Sequence, residues 1–113
     1  MDVQKTLENF NQGVGKLAKE LPRVMKGFRD LHEAVISDGA LSAKQKELIA
    51  IGIAVAIRCH YCIAVHVAKA LELGAAREEI MEAVGVAVLM GGGPAAAYAT
   101  EALQVLDSLA GKS

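Results

Sequence analysis

The stretch RCHYCIAVH, Arg58 to His66, gathers two cysteines and two histidines into nine positions. Cys59 and Cys62 stand three apart, and Cys62 and His66 four apart, so on a helix the three side chains share one face. His60 and Tyr61 point elsewhere, about 100° and 200° around from Cys59. A Cys-x-x-Cys step brings two sulfurs close enough to bond if the backbone geometry permits. If Cys59 lies at a helix N-terminus, the dipole and free N–H groups favour thiolate. An imidazole one turn beyond Cys62 can take a thiol proton or hand one on. The spacing suits a dithiol that attacks an oxidant or a disulfide and then closes on itself. Two plainer readings stand beside it. Helical cysteines often act only as small buried hydrophobes. Alternatively, two thiolates with His66 and Glu47 would supply four ligands to zinc, although Cys₂HisGlu is an uncommon set and no second Cys-x-x-Cys exists.

Glu47 is the test of how these residues are positioned. It precedes Cys59 by twelve residues, which in one continuous helix means roughly 18 Å along the axis and about 120° around. The two could not touch. For Glu47 to join the site, the chain must break and fold back between Ile57 and Cys59, and that break would create the helix N-terminus the thiolate argument wants. Arg58-Cys59-His60 holds no Gly or Pro to mark it. Judged by its neighbours Lys44 and Lys46 alone, Glu47 reads as the solvated start of a helix.

The periodicity around the cluster is helical almost throughout, and the fold class expected is all-α with about six helices. A first amphipathic segment spans Val3 to Leu21, with Leu7, Phe10, Val14 and Leu17 on one side. Pro22 opens a second, where its missing N–H is not needed. That helix carries Val24, Met25, Phe28, Leu31 and Val35 on one side and ends near Ser37-Asp38-Gly39. Ser42 and Gln45 have capping-box spacing before the next apolar run, and Gly74 supplies a stop after Leu73. Ile49 to Ile57 is apolar on nearly every side, which predicts burial on all faces. A further helix is expected over Arg77 to Met90, opened by Glu78 and Glu79 at its positive dipole end. Gly91 to Gly93 should make a turn, and Pro94 restarts the chain into a last helix ending near Leu109. The glycine run lacks the context and the Lys-Ser/Thr of a phosphate loop.

With 113 residues, the chain reads as one domain, 1–113. It is 53% hydrophobic but only 4% aromatic, without tryptophan, a composition suited to closely packed helices. So much apolar surface on so short a chain predicts completion by oligomerisation. A net charge of −1 without a basic block gives no footprint for nucleic acid or an anionic membrane. MDVQKTLENF lacks the pattern of a signal peptide, and the weakly polar run Ala83–Ala99 is interrupted by glycines and a proline, so a cytoplasmic protein is expected. In a reducing cytosol a lone cysteine pair is more often catalytic or metal-binding than a structural staple.

Taken together, Glu47, Cys59, Cys62 and His66 form E-x11-C-x2-C-x3-H within ELIAIGIAVAIRCHYCIAVHVAKALELGAAREEIMEAV, with GGGPA following. This closely resembles the AhpD-like alkylhydroperoxidase / carboxymuconolactone decarboxylase family over about Ser42 to Leu103. The resemblance implies an all-helical fold, assembled as trimers or hexamers, in which the chain folds back before the cysteine helix. It also implies roles. Cys62 would be oxidised to sulfenic acid by a hydroperoxide, Cys59 would resolve it to a disulfide and donate a proton, and His66 and Glu47 would form a proton relay. An external thiol reductant would then reopen the disulfide, with no metal or organic cofactor. Well-studied members have a histidine immediately before the second cysteine, where this chain has Tyr61, with His60 one place earlier. Members that decarboxylate carboxymuconolactone generally lack the cysteine pair, so its presence argues against that activity. The other readings are a non-catalytic or metal-binding helical assembly module on the same fold, and a carboxymuconolactone decarboxylase-like enzyme, which only the family resemblance suggests.

Overall fold

The computed structural model describes residues 1–111. Five helical elements follow one another in the chain, and no strand occurs among the described residues. Helix α1 (Val3–Glu20) starts where the Asp2 side chain accepts the Lys5 N–H at 3.0 Å. Helix α2 (Pro22–Ile36) begins on its proline. Its carbonyl end is closed by Lys46, whose Nζ donates to the Val35 and Ser37 carbonyls at 2.8 and 2.6 Å. Helix α3 (Ala43–Ala56) opens with the expected capping box: Gln45 N–H donates to Ser42 Oγ, and Ser42 N–H to Gln45 Oε1. Helices α4 (His60–Glu72) and α5 (Arg77–Ala110) complete the set.

Helix α5 is two antiparallel arms. A straight helix of 34 residues would run roughly 51 Å, yet the molecule's longest extent is 39 Å. Gly92 breaks it, with φ 69° and ψ −149°, a conformation open essentially to glycine. Before it, Gly91 lies so close to the second arm that a Cβ there would stand 2.6 Å from the Ala95 Cβ. Across the far ends, Arg77 Nη2 donates to Asp107 Oδ1 at 2.6 Å and Nη1 to the Gly111 carbonyl at 3.0 Å. The expected turn at Gly91–Gly93 and the helices either side of it are therefore present, and the arms bring the helical segments to six.

The core lies between α3, α4 and the two arms of α5. Ile51, Val55, Ile63, Val67, Ile80 and Leu106 are fully buried there, interleaved with Ala54, Ala64, Ala70, Ala95 and Ala102. Small side chains let the helix axes approach closely. Gly52 marks one such approach: a Cβ there would sit 3.4 Å from the Ala83 carbonyl.

The expectation of burial on all faces for Ile49 to Ile57 fails. Ile51, Ala54 and Val55 face the core, but Ile49, Ile53 and Ile57 are at least half exposed on the opposite side. Helix α2 buries no residue at all, and its stripe Val24, Phe28, Leu31 and Val35 stays open to solvent. Within one chain there is not enough protein to cover both faces of α3.

Candidate active site

The site is made by the turn between α3 and α4. Helix α3 ends in a Schellman motif. The Cys59 N–H reaches back to the Ala54 carbonyl at 3.0 Å, and the Arg58 N–H to the Val55 carbonyl at 3.2 Å. That motif needs a left-handed residue, and Arg58 supplies it at φ 63°, the only positive φ outside glycine among the described residues. A side chain with a Cβ gives up about 1 kcal/mol there relative to glycine. The break is thus built without the Gly or Pro that would have marked it in the sequence.

Cys59 leaves the turn as the N-cap of α4, in extended conformation. Its Sγ accepts the Cys62 N–H at 3.3 Å, taking the place usually held by a serine or aspartate oxygen. Cys59 and Cys62 form a disulfide, their Cα atoms 5.2 Å apart. When the bond opens, negative charge on Cys59 Sγ is stabilised by that N–H and by the positive end of α4.

The same reversal lays α3 antiparallel to α4 and brings Glu47 to His66. Glu47 Oε1 and His66 Nδ1 are 2.6 Å apart. A carboxylate can only accept, so the Nδ1 proton lies between them and Nε2 is left as the basic nitrogen. Glu47 is completely buried, which corrects the reading of it as solvated helix start. Its outward neighbours Lys44 and Lys46 turn away to Glu79 and to the end of α2. The second carboxylate oxygen, Oε2, is buried with no hydrogen-bond partner among the described residues. His66 is about a quarter exposed and opens onto a cleft of about 570 Å³ between α2 and α3. Phe28, Leu31, Val35 and Ile53 line its walls, and His32 is its other imidazole.

The sequence model of the carboxymuconolactone decarboxylase family matches residues 22–105, most of the chain and all of this site. The chain belongs to the carboxymuconolactone decarboxylase family. A member of that family from Legionella pneumophila has the same fold, with a TM-score of 0.92, 42% identity, and 97% of each chain covered. A Thermotoga maritima member, for which a part in antioxidative response has been suggested, has a TM-score of 0.80 and 30% identity over 90% of each chain. An uncharacterised protein of Cupriavidus necator is 38% identical over 96% of both chains. The protein known as protein 4 in the cox locus of Paracoccus denitrificans is 40% identical over 94% of this chain and 96% of its own.

In this member of the carboxymuconolactone decarboxylase family, the four residues expected in the site fall into two bonded pairs, Cys59 with Cys62 and Glu47 with His66. With both sulfurs joined, the four-ligand zinc arrangement is not formed, and no group of three metal-binding side chains is assembled among the described residues. His60 faces away from that set and meets Glu101 at 3.3 Å, a partner 41 positions later that no local pattern signals. Tyr61, where well-studied members carry histidine, packs against Phe10 of α1 with ring centroids 5.5 Å apart. It acts as a contact between α1 and the start of α4. His32, far from the motif in sequence, is set on the wall of the His66 cleft by the packing of α2 over α3.

Proposed function

We propose that this protein is a thiol-dependent peroxidase or disulfide oxidoreductase that reduces hydroperoxides through Cys59 and Cys62. One observation carries the reading: a Cys-x-x-Cys disulfide at a helix N-terminus shares α4 with His66, whose ring is oriented by a buried glutamate.

In the reduced protein His66 Nε2 accepts the Cys62 thiol proton. The Cys62 thiolate attacks the terminal peroxide oxygen, the O–O bond breaks, and the alkoxide leaves as an alcohol after taking a proton from the relay. Cys62 is left as sulfenic acid. Cys59 gives its thiol proton to the relay, and its thiolate, stabilised by the Cys62 N–H, displaces hydroxide from that sulfur; the hydroxide takes that proton and leaves as water as the disulfide forms. An external thiol reductant in the cytoplasm returns both cysteines to thiols. Glu47 keeps the imidazole in one tautomer throughout and balances its positive charge while it holds the proton.

The active form is a homo-oligomer, a trimer or hexamer. Two exposed apolar areas support this: Val24, Phe28, Leu31 and Val35 on α2, and Val86, Leu89 and Met90 on the first arm of α5.

The test is hydroperoxide consumption by the reduced protein with a dithiol donor, compared with Cys62→Ser. Loss of turnover in the variant is the expected result, and equal rates in the two proteins would sink the reading.

A further inference from the structure

Arg58 stands where the fold itself would be better served by glycine. It is the left-handed residue of the Schellman motif, and the two hydrogen bonds of that motif are backbone bonds that a glycine would make without strain. Its side chain therefore adds nothing to the turn. It also takes no part in any ion pair or side-chain hydrogen bond among the described residues, although it is exposed and its Cα directly precedes that of Cys59.

Two carboxylates beside α4 already have partners. Glu47 is bonded to His66, and Glu101 faces His60. Arg58 is left as an exposed, unpaired positive charge one residue before Cys59. A guanidinium binds a carboxylate through two parallel N–H donors, which orients the molecule carrying it.

We infer that Arg58 selects the reductant: a small thiol bearing a carboxylate within a few bonds of its sulfur. The inference rests on the reading of Cys59–Cys62 as a disulfide that is cycled. One such thiolate, held by Arg58, attacks a sulfur of the disulfide. The protein S–S bond breaks, a mixed disulfide forms, and the other protein sulfur leaves as thiolate. A second thiol displaces the protein from the mixed disulfide. Two electrons pass to the two cysteines, the two thiol protons end on them, and the small thiols leave joined as their own disulfide.

The experiment uses the full-length oxidised protein without peroxide. Reduction of Cys59–Cys62 by mercaptopropionate, mercaptoethanol and cysteamine is followed by alkylation and mass. Each rate is referred to the thiolate concentration, because the three thiols differ in acidity. The quantity read is the mercaptopropionate rate divided by the mercaptoethanol rate within each protein. It is expected to fall about three- to tenfold in Arg58→Gln, to be largely kept in Arg58→Lys, and to collapse in the wild type at high salt. The cysteamine ratio should move the opposite way.

A ratio that is the same in the wild type and Arg58→Gln overturns the inference. So does an equal slowing of all three thiols, which would assign the arginine to the leaving sulfur. A disulfide inert to every thiol overturns it together with the cycling on which it rests. Failure of the peroxidase reading alone shows separately, as peroxide consumption indifferent to Cys62→Ser while the thiol ratio still depends on Arg58.

Discussion

Glu47 Oε1 lies 2.6 Å from His66 Nδ1, one side chain sealed in the core and the other at the edge of a cleft. The contact joins residues 19 positions apart on two helices, and it exists only because the chain turns back at Arg58. A fully buried carboxylate requires a partner. Here the partner of Oε1 is an imidazole one helical turn beyond Cys62, so the contact that partners the buried carboxylate also orients the ring.

Replacing His66 by Gln should lower kcat/KM for hydroperoxide by about 10²- to 10⁴-fold, the usual contribution of a positioned acid–base group. Glu47→Gln keeps the shape but loses the charge that balances the imidazolium, so a smaller loss of at least about tenfold is expected. Steady-state kinetics with a fixed dithiol donor check both. Activity within twofold of wild type in His66→Gln would remove the relay from the mechanism.

Arg58→Gly should make the protein more stable by about 0.5–1 kcal/mol, since glycine enters the left-handed region without the Cβ penalty and the two turn hydrogen bonds involve only backbone. Urea unfolding of the oxidised protein measures this. A lower urea midpoint at unchanged slope would mean that the arginine side chain supports the turn after all.

Gly92→Ala tests the hinge of α5. At φ 69° and ψ −149° a Cβ is strained whatever the space around it, so a loss of about 1–3 kcal/mol is expected. For a domain of this size that corresponds to a fall in Tm of several degrees. An unchanged melting temperature would show that the hinge accepts another geometry.

Glu79 carries the clearest pH signature. Its side chain accepts the Ala76 N–H at 2.8 Å at the start of α5 and meets Lys44, and these partners, the backbone bond first, hold its carboxyl below the ordinary 4.5. A group whose pKa is lowered by folding adds stability above its unfolded value, and that stability is lost as pH falls through the folded value. Acidification from about pH 5 downward should therefore cost the wild type more than Glu79→Gln, which keeps the cap but does not titrate. Parallel acid-side slopes in urea unfolding of the two proteins would contradict this.

The open apolar faces predict the behaviour of the assembly. Phe28→Glu on α2 and Leu89→Glu on α5 place a charge on residues that are 59% and 80% exposed in the single chain. Neither should disturb the core, yet each should shift the mass measured by light scattering toward smaller species. An unchanged mass in both would move the assembly surface elsewhere.

Much of this was legible in the residues themselves. Ser42 and Gln45 announce the start of α3, Pro22 the start of α2, and the Gly91–Gly93 run the hinge of α5, because caps and breaks are local events settled within four residues. The shared face of Cys59, Cys62 and His66 follows from helical spacing alone. The motif, by its resemblance to a known family, named Glu47 as the fourth member.

What the spacing could not determine was whether Glu47 arrives. The turn that brings it is closed by backbone hydrogen bonds around an arginine, a residue type that carries no turn signal, and its strain is sustained by the burial of α3 against α4. The burial of Glu47 is likewise hidden, because Lys44 and Lys46 just before it point outward from a helix whose opposite face is core. The same geometry divides the apolar run of α3 into an inner and an outer face, the latter left open because this chain is too short to cover it. The chemistry of the site was written in residue types and intervals; its assembly was decided by which faces of α3 and α4 could be buried against each other.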